Sequence, residues 1–287
     1  MNRGRNVSKA WIRGYTIVEV LIFLATTTAL FAVSMRLISG QQGKAQFVST
    51  IRDMESTLND IANNVATGYY SRSADFRCFV NGSGNVVIGP PAGAAQGTNS
   101  DCIYAGTVVK FGESTAGPSA YIQIPMAGKR LSAGKDVTSL LEAAPKTLYS
   151  APVPDVVTTA ILPFGAEVRC VKINGGVCGN GNSALGFFTT FNGTAQNARK
   201  GGIQTDLLYF NVSLNSALNA TANSINNTFD TLTAAQLITM RPEKVEICVQ
   251  SGTSNQYAIL TLGGGSSSNL TVSNVVKTIS GSQPLCS

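Results

Sequence analysis

From Tyr15 to Met35 the chain runs for 21 residues with one charge, Glu19, and no glycine or proline. At the rise of an α-helix that is roughly 31 Å, the hydrocarbon thickness of a bilayer. The run predicts a membrane-spanning helix over 15–38. Apolar residues then recur at alternating steps of four and three, at Phe47, Ile51, Met54, Leu58, Ile61 and Val65, with Lys44, Arg52, Asp53, Glu55 and Asp60 off that line. Such a stripe predicts an amphipathic continuation over 39–67 that packs on the chain's own sheet, and Gly68 supplies the stop. The stripe is short and lacks e/g charge pairing, which argues against a coiled-coil seam.

Beyond Gly68 the helical period ends and turn residues recur about every ten positions. Strands are predicted at 76–80, 85–88, 103–111, 121–124, 156–162, 167–173, 186–191 and 203–213. Three more, 243–250, 256–262 and 270–277, read as an antiparallel meander. Short helices are predicted near 137–144 and 231–239, and mobile loops at 89–101 and 215–227. The expected fold class is α+β: a long N-terminal helix, membrane-spanning in its first half, packed on an antiparallel β-sheet head over 68–287.

Charge sharpens the topology. Residues 1–14 carry Arg3, Arg5, Lys9 and Arg13 and no acid, which keeps them on the cytoplasmic side and sends the rest of the chain out. Removing those four of the 21 basic residues leaves 17 against 15 acids, or +2 in place of +6. The basic balance is therefore a topology signal, and it supports no nucleic-acid partner. Lys129-Arg130 with Lys135, and Arg199-Lys200, are small clusters of the kind found on solvated loops.

All six cysteines, Cys78, Cys102, Cys170, Cys178, Cys248 and Cys286, follow the apolar helix. Outside the membrane they read as disulfides, with 15 connectivities open. Sequential pairing is favoured, because Asn174-Gly175-Gly176 is a hairpin turn between Cys170 and Cys178 and Cys248–Cys286 would tie the C-terminal tail to a strand. Metal binding has no CxxC pair and no histidine to rest on. The chain lacks histidine altogether, which removes the commonest general base and the usual triads. Asp75, Asp101, Asp206 and Asp230 are scattered, and Gly179-Asn180-Gly181-Asn182 offers a calcium turn no acid. Phe187-Phe188 and Tyr209-Phe210 read as strand core. Sequons at Asn81, Asn192, Asn211, Asn219, Asn226 and Asn269 are expected by chance in a chain so rich in Asn, Ser and Thr. Neither an enzyme nor a cofactor is expected.

Glu19 needs a separate account, since an unpaired carboxylate at membrane depth costs roughly 2–3 kcal/mol. A secretory h-region has no use for it, and Ile38-Ser39-Gly40 is a poor signal-peptidase site. A plain signal anchor explains the span but not the charge. The segment Arg13-Gly14-Tyr15-Thr16-Ile17-Val18-Glu19-Val20-Leu21-Ile22-Phe23 resembles the class III leader of the type IV pilin family, pseudopilins included. The resemblance implies that a prepilin peptidase cuts between Gly14 and Tyr15 and methylates the new terminus. It implies that Glu19 then takes part in assembling subunits into a filament, with the amine at Tyr15 of a neighbouring subunit as a suitable partner. It further implies a pilin-like fold and, as partners, other pilin subunits, the inner-membrane assembly platform and the membrane. The precursor would lie in the cytoplasmic membrane with its N-terminus inside, and the mature chain in an extracellular filament. Many pilins also close the C-terminal region with a disulfide like that expected for Cys248. This chain departs from the family pattern in having Tyr15 for the usual phenylalanine and Arg36 where proline is common. Gly40 and Gly43 supply a soft point near Arg36.

Overall fold

The computed structural model describes residues 15–68, 77–89, 101–113, 117–149, 156–178, 183–191, 205–214, 216–263 and 271–279. It is α+β. The elements in chain order are α1 (Ile17–Thr67), β1 (Arg77–Val80), β2 (Val86–Gly89), β3 (Cys102–Glu113), β4 (Gly117–Lys129), β5 (Leu131–Ser132), β6 (Lys135–Asp136), α2 (Leu140–Ala143), β7 (Lys146–Thr147), β8 (Thr158–Ile161), β9 (Glu167–Ile173), β10 (Ala184–Thr189), β11 (Thr205–Phe210), α3 (Leu218–Thr231), α4 (Ala234–Thr239), β12 (Lys244–Gln250), β13 (Gln256–Gly263) and β14 (Val272–Thr278). The backbone of α1 stays helical through Arg36, Gly40 and Gly43. The chain divides into two compact units, the boundary falling between Ala45 and Gln46, where the sequence pattern predicts a change at 38.

In the second unit, among the described residues, two antiparallel sheets carry most strands. One has the order β11-β10-β3-β4-β7, with β8 also on β4; the other has the order β14-β13-β12-β9. The predicted meander is therefore present, extended by β9 from earlier in the chain. One apolar cluster joins both sheets to the helix. Phe47, Ile51, Met54, Leu58, Ile61 and Val65 of α1 are buried in it beside Val109, Phe111, Leu185 and Phe187 of the first sheet and Ile247, Leu260 and Leu262 of the second. Polar groups complete the fit. The hydroxyls of Thr189 and Thr205 donate to the Val65 and Ala62 carbonyls at 3.2 and 3.1 Å, serving the helix end where intrahelical donors run out. The Asn274 amide donates to the Glu55 carboxylate, tying α1 to β14.

The two sheets differ in how they are covered, and their sequences show it. β13 alternates buried and half-buried residues, as expected of a sheet with one face on the core. β10 is buried from Ala184 through Phe188, because α2, α3 and α4 cover its second face. There Phe188, Phe210 and Leu208 meet Ile225, Phe229, Leu237 and Leu140, with the Phe188 and Phe229 rings edge to face at 5.4 Å. Gly106 lies where β3 passes β10: at φ 155° a Cβ would meet the Phe187 carbonyl oxygen at 2.1 Å.

Two expectations are corrected. Residues 215–227, predicted as a mobile loop, contain most of α3, whose Thr221, Ala222, Ile225 and Phe229 are buried. Its four-residue spacing is filled with Thr and Ala as well as larger groups, and Ala217 at its start makes no side-chain cap. Packing on Phe188 and Phe210, rather than any local signal, holds it. The turn at 174–176 does reverse the chain, with Asn174 and Gly175 at φ 51° and 73°, but the described residues that follow it, 177 and 178, join no strand. β9 pairs instead with β12, some 70 residues on.

Burial also sets a pH response. The half-buried Tyr104 hydroxyl bonds to the Thr107 hydroxyl, and desolvation, opposed by that bond, pushes its pKa from 10.0 up to about 12. Below pH 10 both folded and unfolded states keep the proton and Tyr104 contributes no pH slope. As pH rises through the window from 10 to about 12, the unfolded phenol ionises while the folded one does not. Stability should then fall by roughly 1.4 kcal/mol per pH unit. Tyr104→Phe is expected to remove this alkaline slope, measured by urea unfolding across that range.

Candidate functional site

The first unit's described part is the N-terminal portion of α1. Over the 19 residues Ile17–Met35, long and apolar enough to cross a membrane, no part is buried. Tyr15, Ile17, Leu21, Phe23, Leu24, Leu30 and Phe31 are each more than 60% exposed. Apolar surface on this scale is not left to water in a native protein.

The hydroxyls in this segment bond back to their own helix. Thr26, Thr27 and Thr28 donate back to the Phe23 and Leu24 carbonyls at 2.7–3.0 Å. Ser34 donates to the Leu30 carbonyl at 2.9 Å. Each of these hydroxyls is thus satisfied inside its own helix. Glu19 is the remaining polar side chain of the span's first turn.

Thr16, which the sequence reading passed over, gives Glu19 its local setting. The Glu19 amide donates to the Thr16 hydroxyl at 3.3 Å, and the Val20 amide to the Thr16 carbonyl at 3.2 Å. Thr16 therefore caps α1, with Glu19 at the third helical position. The signal was present in the sequence as Thr-x-x-Glu ahead of an apolar run. A carboxylate in the first turn also lies in the favourable field of the helix N-terminus. Gly14 and the residues before it lie outside the described residues, and Tyr15 is exposed.

The cysteines fall in two places. Cys78 is bonded to Cys102, with Cα atoms 6.1 Å apart, where the β1–β2 hairpin meets β3. Cys170 on β9 is bonded to Cys178 beyond the turn, 5.4 Å apart. Cys248 is also disulfide-bonded, and Cys286 lies outside the described residues.

Elsewhere the acids are dispersed. Asp206 pairs with Arg241 at 2.6 Å, and burial, opposed by that guanidinium, raises its carboxyl above the usual range. Asp230 pairs with Lys146, and the Asp101 carbonyl accepts from the Arg130 amide. Asp75 and the turn at 179–182 lie outside the described residues. Among the described residues no group of three His, Cys, Asp or Glu could hold a metal ion. An open groove of about 470 Å³ runs along α3, lined by Ala220, Asn223, Ser224, Asn227, Thr228 and Thr231. It offers no charge and no aromatic ring. Lys110 of β3 is fully buried, and its ammonium donates to the Gly112 and Leu214 carbonyls. It locks a bulged strand end.

Compared with protein-family models, with curated proteins and with solved structures, the chain matches none.

Proposed function

We propose that this chain is a type IV pilin-like subunit, made as a membrane-anchored precursor and polymerised through α1 into a filament outside the cell. The observation that carries this is the bare apolar helix Ile17–Met35 with Glu19 in its first turn. That surface needs lipid before assembly and equivalent helices of other copies afterwards. Glu19 supplies what a purely apolar helix lacks, which is a fixed register. In a low-dielectric fibre core its carboxylate is satisfied only where a cation sits, and the amine created at Tyr15 of an adjacent subunit is that cation. The second half of α1, buried among both sheets, attaches the disulfide-bonded head that would coat the fibre.

This function predicts a mature N-terminus at Tyr15, methylated, in filaments sheared from cells, read by mass spectrometry. An intact leader confined to membranes would make the chain an anchored surface-binding protein instead. A terminus near Gln41 would make it an ordinary secreted protein.

A further inference from the structure

Three cysteines meet on one face of the second sheet. Cys170 on β9 and Cys248 on β12 are directly opposed in the antiparallel ladder, so their side chains leave the same face. Both are buried, at 4% and 2% exposure, in a small cluster with Tyr257. Opposed residues in such a ladder have Cα atoms about 4.5–5.5 Å apart, within the roughly 4.4–6.8 Å that a disulfide accepts. The bond Cys170 actually makes, to Cys178, spans 5.4 Å. Cys248 meanwhile holds a disulfide of its own. The ladder slips between Cys248 and Val249, and such a bulge loosens the strand beside the sulfur. Cys170 thus has two geometrically suitable partners and is bonded to one of them.

Access decides where exchange can start. Cys170 and Cys248 are covered, whereas Cys178 is exposed and follows Val177, which is 91% exposed. We propose that Cys178 is a modification site for small thiols, and that its opening transfers the Cys170 sulfur to Cys248. In the first step an external thiolate attacks the Cys178 sulfur, forming a mixed disulfide there and releasing the Cys170 thiolate. The Cys170 thiolate then attacks the Cys248 sulfur, forming Cys170–Cys248 and releasing the former partner of Cys248 as a thiolate. That thiolate takes the proton given up by the external thiol and remains a free thiol. Two disulfides within the protein are exchanged for one within it and one mixed disulfide at Cys178, one protein thiol is freed, and no oxidant or reductant is consumed. The result moves the covalent tie of Cys170 from the 174–178 turn to Cys248 of β12.

The test uses the full-length protein in detergent, incubated with reduced glutathione at mildly alkaline pH, alkylated, and digested without reduction for peptide mapping. Glutathione on Cys178 together with a Cys170–Cys248 linked peptide is the expected result. Glutathione on Cys178 with Cys170 alkylated, or an unchanged Cys170–Cys178 peptide, would overturn the exchange. Cys178→Ser checks it from the other side. In that variant Cys170 should be found bonded to Cys248 and the alkylated thiol should belong to the former partner of Cys248; alkylation of Cys170 itself would refute the transfer. Should that variant misfold, the glutathione experiment on the unaltered chain still decides.

Discussion

Replacing Glu19 with alanine is expected to leave the protein in the membrane and to remove it from filaments. The two effects separate because they draw on different properties of one side chain. Insertion depends on the apolar run Ile17–Met35, and deleting a charge from that run only makes transfer into lipid more favourable. Helix formation should also survive, since the cap runs from the Glu19 backbone amide to the Thr16 hydroxyl and does not involve the carboxylate. Assembly is different. Truncating one member of a desolvated charge pair costs roughly 2–5 kcal/mol, much of it the penalty of leaving the other charge buried alone. In a filament that loss recurs at every subunit contact. The measurement is the ratio of sheared to membrane-bound protein, which should fall by about two orders of magnitude, corresponding to about 2.7 kcal/mol. Thr16→Val is the control, because it weakens the cap by about 1 kcal/mol and leaves the charge. If Thr16→Val matched Glu19→Ala, the carboxylate would be acting on its own helix. If Glu19→Ala filaments formed normally, the assembly role would be wrong.

The second large effect lies at the other end of α1. Phe47→Ala is expected to destabilise the head by about 3–5 kcal/mol, from a total that for domains is of order 5–15 kcal/mol. Phe47 is 1% exposed and belongs to the cluster that joins the helix to both sheets, so neither sheet can close the void by moving alone. For a domain of this size the loss corresponds to a melting shift of about 6–20 °C, read by thermal unfolding in detergent with disulfides intact. Leu21→Ala, at a position 61% exposed in the first unit, should leave that transition where it is. A Phe47→Ala shift below about 2 °C would mean that the second half of α1 is not part of the head's core.

These two substitutions probe features that could be read from the chain as written. Uniform apolarity from Tyr15 to Met35, and the four-three stripe after it, are local patterns that survive any arrangement of the rest. The meander could be read for a related reason. β13 has one face on the core, so its pattern alternates at the strand period, and Ser251–Asn255 announces the reversal before it. The Thr16 cap is equally local, its hydroxyl accepting from the Glu19 amide three residues on.

The sequence by itself determined which stretches would be helix and strand wherever one face meets water, together with an apolar helix over Ile17–Met35 long enough to cross a membrane. The tertiary structure alone decided the rest. α3 is a helix because Phe229 meets Phe188 and Phe210, and a segment this rich in Asn, Ser and Thr carries no comparable preference of its own. β9 leaves its neighbour in the chain for β12, and that choice brings Cys170 opposite Cys248. Pairings between residues some 80 positions apart are settled by which surfaces bury the most apolar area together. That quantity belongs to the assembled core and is not written in any window of the chain.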